Sequence, residues 1–197
     1  MDIEAYNGKT LVGVAADADG NVLVKQSTAK FEHSVLEEQV FIGANLGGTP
    51  VTTQAGLSAT TPALTLYNPV GSGVNLVLLT VTCDITTAPA AASGLMLAYN
   101  LLNATPPATT TDATMINAIV GSTTAPKGRC YRIATLAAAP LAFWFLGGTT
   151  GAAAISGCKL TENIDGQIVI PEGVAISIQA TSAAAILASF VWKEVIN

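Results

Sequence analysis

The sequence predicts an all-β protein: an antiparallel two-sheet sandwich, jelly-roll-like, preceded by an N-terminal arm with a small β-hairpin. Three observations carry this. From residue 62 onward, apolar and β-branched segments of strand length follow one another with Pro, Gly, Ala and Thr between them. No segment sustains a helical period, and no repeat of fixed length recurs, which argues against propellers and solenoids. Short strands without intervening helices bury their apolar faces by packing one sheet on another, and the jelly roll is the preferred topology for about eight of them.

The arm comprises residues 1–41 and holds 10 of the 21 charged side chains within its first 38 positions. Segments 10–16 and 22–25 are β-prone, and Asp17-Ala18-Asp19-Gly20-Asn21 between them supplies turn chemistry with a glycine free to take positive φ. The same five residues open like a calcium-binding loop, but Val22 stands where that loop needs Gly and Thr28 where it needs Glu, so the hairpin is preferred. His33, the only histidine, sits beside Glu32 in a stretch reaching Glu37 and Glu38 that reads as a short helix or an extended connection. One imidazole without a second nearby ligand does not make a metal site. After Phe41 the composition shifts, and residues 42–61, rich in Gly, Thr and Ala, read as a linker or first strand.

The sandwich itself is assigned to residues 62–197. A short strand at 63–67 meets the dense turn Asn68-Pro69-Val70-Gly71-Ser72-Gly73, which leads into a long strand at 75–87. That strand alternates Leu76, Leu78, Thr80, Thr82 and Asp84 with Val77, Leu79, Val81, Cys83 and Ile85, and only the second face is uniformly apolar. Segment 94–100 alternates again, 115–120 is apolar without a clear period, and 129–136 alternates Cys130, Arg132, Ala134 and Leu136 with Tyr131, Ile133 and Thr135. Strands at 141–146 and 158–160 follow, and three closing strands at 167–170, 175–181 and 186–195 complete the set, the first two joined by Pro171-Glu172-Gly173. Low-complexity patches at 86–93, 104–113, 135–140 and 147–157 read as loops of small residues, suited to close subunit contacts.

Composition restricts the function. Half the residues are hydrophobic, 11% are charged and the net charge is -5. A folded monomer of this size exposes about 8,700 Å², of which the charged side chains cover about a quarter. The rest is small and neutral or is covered by partners, which points to an oligomer. The apolar run 133–146 is interrupted by Pro140 and is too short for a membrane span, and intrinsic disorder goes with the opposite composition. Lys127, Arg129 and Arg132 form the densest basic group, too loose for a nucleic-acid footprint. The start Met1-Asp2-Ile3-Glu4 is acidic where a signal peptide is basic, so assembly in the cytosol is expected. Cys83, Cys130 and Cys158 are widely spaced in apolar contexts and read as buried reduced thiols.

A search for catalytic chemistry finds no constellation. His33 lies in the arm, away from any candidate serine or cysteine nucleophile, and no Gly-x-Ser-x-Gly elbow occurs. Asp84, Asp112, Glu162, Asp165 and Glu172 fall in turns or at strand ends and read as solvated charges. Gly71-Ser72-Gly73 lacks the lysine and the strand-to-helix setting of a phosphate loop. Trp144, Trp192, Phe143, Phe145 and Phe190 could form a sugar-stacking platform, but their strands are apolar on both faces, which favours core or subunit packing. Neither an enzyme nor a cofactor is predicted.

Several segments resemble one family. Thr10-Leu11-Val12-Gly13-Val14 followed by Asp19-Gly20-Asn21-Val22-Leu23-Val24 is similar to the starts of many tailed-phage virion proteins. The run from Leu64 through Asn68-Pro69-Val70-Gly71-Ser72-Gly73 to Leu78 resembles the strand, turn and long strand of jelly-roll structural proteins of phages, and Ile170 to Ile178 with Phe190-Val191-Trp192-Lys193-Glu194 resembles their closing strands. The resemblance implies a capsid-decorating, or cement, protein: a homotrimer of jelly rolls on the virion surface, assembled in the host cytoplasm, whose arms dock on the major capsid protein or on a neighbouring subunit. Candidate docking residues are Leu11, Val12, Val14, Val22, Leu23, Val24, Phe31 and Phe41. A host-recognition or carbohydrate-binding module of a phage tail or fibre is the alternative. Neither nucleic acid nor membrane is an expected partner.

Overall fold

The computed structural model describes residues 4–6, 11–13, 30–45, 49–101, 105–150 and 158–197. The chain divides into two compact units, Met1–His33 and Ser34–Asn197. In the first, β1 (Glu4–Tyr6) pairs antiparallel with β2 (Leu11–Gly13), Tyr6 opposite Leu11. The second strand of the expected hairpin and its Asp17–Asn21 turn lie outside the described residues; the partner described for Leu11–Gly13 is Glu4–Tyr6.

Among the described residues the remaining elements are a short helix, α1 (Glu32–Leu36), and twelve strands: β3 (Val40–Ala44), β4 (Val51–Thr52), β5 (Thr65–Asn68), β6 (Val74–Thr87), β7 (Ser93–Leu101), β8 (Ala108–Asp112), β9 (Thr114–Asn117), β10 (Arg129–Thr135), β11 (Leu141–Thr149), β12 (Cys158–Ile170), β13 (Val174–Ala180) and β14 (Ala185–Ile196). They form two antiparallel sheets. One runs β11-β7-β13-β5-β10-β8, and the other runs β12-β6-β14-β3-β9 with β4 also on β14. The fold is all-β with two antiparallel sheets. Leu64, Leu66, Leu95, Leu97 and Ile178 from the first sheet and its flanks meet Leu76, Leu78, Ile170, Ile186, Phe190 and Trp192 from the second, all essentially without solvent exposure.

Four departures from the sequence reading have local causes. The uniformly apolar face of β6 is not buried throughout: Leu76 and Leu78 are buried at one end, Val81, Cys83 and Ile85 at the other. Trp192 pairs with Leu78 and Val191 with Thr80, so Leu79 is an extra residue in β6, and this bulge exchanges the two faces. The segments expected as separate strands at 158–160 and 167–170 are one strand. β12 pairs with β6 on both sides of an excursion between Asn163 and Ile168, where Asp165 and Gly166 take positive φ and Ile164 is buried. β8 occupies the low-complexity stretch 104–113, where Ala108, Thr111 and Asp112 pair with β10 at an exposed edge. Finally, the boundary expected after Phe41 falls earlier, between His33 and Ser34.

That last shift follows from packing. β3 is an inner strand between β14 and β9, Val40 and Phe41 are buried, and the Phe41 ring lies 6.0 Å from that of Trp192. Gly43 passes so close to Cys130 that a Cβ there would sit 2.7 Å from its Sγ. The stretch expected as a linker is also tied down: Asn45 donates through Nδ2 to the carbonyl of Ile186, Thr61 N–H donates to Ala134, and the Ser58 backbone exchanges two hydrogen bonds with the buried Gln179 amide. A chain beginning at Ser34 is therefore expected to unfold cooperatively with a melting temperature close to that of the 34–197 unit in the full chain. One beginning at Ile42 loses Val40 and Phe41 and is destabilised by about 3–5 kcal/mol; thermal unfolding followed by circular dichroism distinguishes the two.

Candidate functional site

The most exposed apolar feature lies where β11 and β12, the outer strands of the two sheets, run along the same side of the sandwich. No charged side chain occurs between Arg132 and Lys159, so β11 is built entirely from neutral residues. Along it exposure alternates. Leu141 (60% exposed), Phe143 (38%) and Phe145 (75%) are exposed and Trp144 and Leu146 pack on the core, yet the exposed side chains do not share one face: pairing with β7 is irregular at Phe143 and Leu146, so Leu141 and Trp144 lie opposite the inward Tyr99 and Leu97, and Phe145 lies opposite Met96 on the other face. Val169 on β12 is 52% exposed and lines one groove with Phe143. Between the strands is an apolar groove of about 330 Å³ lined by Tyr99, Phe143, Ile168, Val169, Ile170 and Pro171, with Val174 and Ile176 at its base. Phe143 meets Tyr99 edge to face, with ring centroids 5.8 Å apart and an interplanar angle of 76°.

A polar corner holds this groove in place. The chain crosses from one sheet to the other between β5 and β6 and again between β12 and β13, and the two crossings are joined. Asn68, wholly buried, donates from Nδ2 to Val74 O at 2.8 Å and to Ile170 O at 3.0 Å, and its Oδ1 accepts from Ser72 Oγ at 2.7 Å. Glu172, from the second crossing, reaches the first: its carboxylate accepts from Gly71 N and Gly73 N, both at 2.8 Å, and from Asn197 Nδ2 at 3.3 Å. Gly71 and Gly73 both have positive φ, 80° and 71°, which turns their N–H groups toward one acceptor. Donation by Gly71 and then Gly73 to the ionised form holds the Glu172 carboxyl below the usual glutamate range.

Two other carboxylates serve as structural acceptors. Glu38, at φ 58° just past α1, accepts from Thr124 Oγ1 and from Ser122 Oγ at 2.8 Å, bonds that lower its pKa, while its carbonyl accepts from Asn117 Nδ2 at 2.9 Å. Glu194 accepts from Lys127 N, Gly128 N and Trp192 Nε1. Both line a cleft of about 450 Å³ with Lys127 and Lys193. The acids of this cleft are engaged by backbone and hydroxyl donors, so their arrangement is one of anchoring.

Among the described residues no group of three or more His, Cys, Asp and Glu side chains is placed to hold a metal ion, and no helix is long and apolar enough to cross a membrane. Cys83 and Cys130 are buried free thiols; burial pushes Cys83 up to about 12, and burial followed by the charge of Asp112 pushes Cys130 up as well. Neither forms appreciable thiolate at neutral pH.

The candidate docking residues separate. Phe41 is only 3% exposed, so its ring is held by its own chain and is not offered to a partner, a correction that follows from β3 being an inner strand. Phe31 is half-buried, with the Lys30 ammonium 5.4 Å from its ring centre. Leu11 and Val12 lie in β2, and Val14, Val22, Leu23 and Val24 lie outside the described residues. The aromatic set divides too: Trp192 and Phe190 are core, Trp144 is partly buried against it, and Phe143 and Phe145 are exposed. The uncharged run and the large apolar residues Leu141, Phe143 and Phe145 within it are the sequence signals of this edge. Comparison with protein-family models and with curated proteins finds no match for the chain.

The corner gives a pH prediction. Because the folded pKa of Glu172 is depressed, its contribution to stability is present above the ordinary glutamate pKa and is lost as pH falls through the lower folded value. Glu172→Gln should therefore lower the melting temperature at neutral pH and narrow its gap to wild type in acid. Asn68→Ala, which removes the buried amide that the Val74 and Ile170 carbonyls share, should cost about 2 kcal/mol at every pH. A pH series of thermal melts of the two variants checks both.

Proposed function

We propose that this chain is a structural component of a virion, a protein that decorates and stabilises a phage capsid as a homo-oligomer, with three copies as the number that the family resemblance implies. The observation that supports the assembly role is the apolar groove at the β11–β12 edge, which Phe143 and Val169 line while partly exposed, with Leu141 and Phe145 also exposed on β11. A soluble monomer seldom displays a patch of this kind unless it binds another protein. Its context agrees: after residue 38 the chain has 11 charges in 159 positions, about 7% against the roughly 25% usual for globular domains. The placement on a virion rests on the resemblance of the Leu64–Leu78 and Ile170–Ile178 segments to phage structural proteins.

A structural role also suits the polar chemistry. The Glu38, Glu172 and Glu194 carboxylates are engaged in tying loops, and the described thiols are buried and protonated. A carbohydrate site is less well supported, since the groove beside the exposed aromatics is walled by aliphatic side chains and proline, with the Tyr99 hydroxyl as its one side-chain polar group. Sugars need several hydrogen-bonding partners around their hydroxyls. The jelly-roll topology and the docking of residues 1–33 on a major capsid protein belong to the same proposal.

The test is to purify particles produced by the genome that carries this gene, quantify the chain in them by mass spectrometry and locate it by electron cryomicroscopy. The proposal expects a fixed copy number on the outer shell, and a chain starting at Ser34 that no longer joins the shell. Absence of the full chain from purified particles overturns it.

A further inference from the structure

No further inference is drawn: the strongest candidate, the apolar groove at the β11–β12 edge lined by Tyr99, Phe143, Ile168 and Val169, belongs to the site already described, and nothing in the structure shows what covers it.

Discussion

A buried amide at Asn68 is the constraint on which the two-sheet arrangement rests. Wherever a chain leaves one sheet for another, backbone carbonyls and amides lose their ladder partners, and inside a protein each must find a replacement. Here both crossings at this corner are completed by two side chains. Asn68 takes the Val74 and Ile170 carbonyls, and Glu172 takes the Gly71 and Gly73 amides. Because each side chain serves both crossings, the end of β12 is fixed relative to the start of β6. Ile170, Pro171 and Val174, which follow directly from that corner, line the apolar groove. A polar device in the fold thus sets the shape of an apolar surface.

The same economy applies to the other acids. In a chain with so few charges, Glu38, Glu172 and Glu194 each accept from loop amides or hydroxyls. Such bonds to ionised acceptors are stronger than neutral ones, and they hold turns that small residues alone would leave loose. Much of the remaining surface is Ala, Thr, Gly and Ser, which gives the protein little charge with which to discourage association.

Most strand positions were legible because alternation and turn residues are local properties. β5, β7, β10, β13 and β14 lie within a residue or two of the segments that suggest them. What escaped was non-local. The extra residue at Leu79 preserves the alternating pattern of β6 on paper yet moves its buried face, because the bulge is defined by β14 and β12 and not by β6 itself. Asp165-Gly166 looks like a turn that ends a strand, but continued pairing with β6 carries β12 through it. The compositional change near Phe41 suggested a boundary, whereas the packing of Phe41 on Trp192 decides it. The β11 edge was half legible: Leu141, Phe143 and Phe145 alternate in an uncharged run, but irregular pairing with β7 puts Phe145 on the other face from Leu141, and sheet order alone makes β11 an edge.

The proposal that this chain assembles with its own copies through the β11–β12 edge is tested most directly by amide hydrogen exchange of the full-length protein at two widely separated concentrations. Slower exchange in β11 and in residues 168–174 at the higher concentration, with β8 at the opposite edge of the same sheet unchanged, is the predicted result. Exchange in β11 that is the same at both concentrations, or protection that appears at β8 instead, would contradict it.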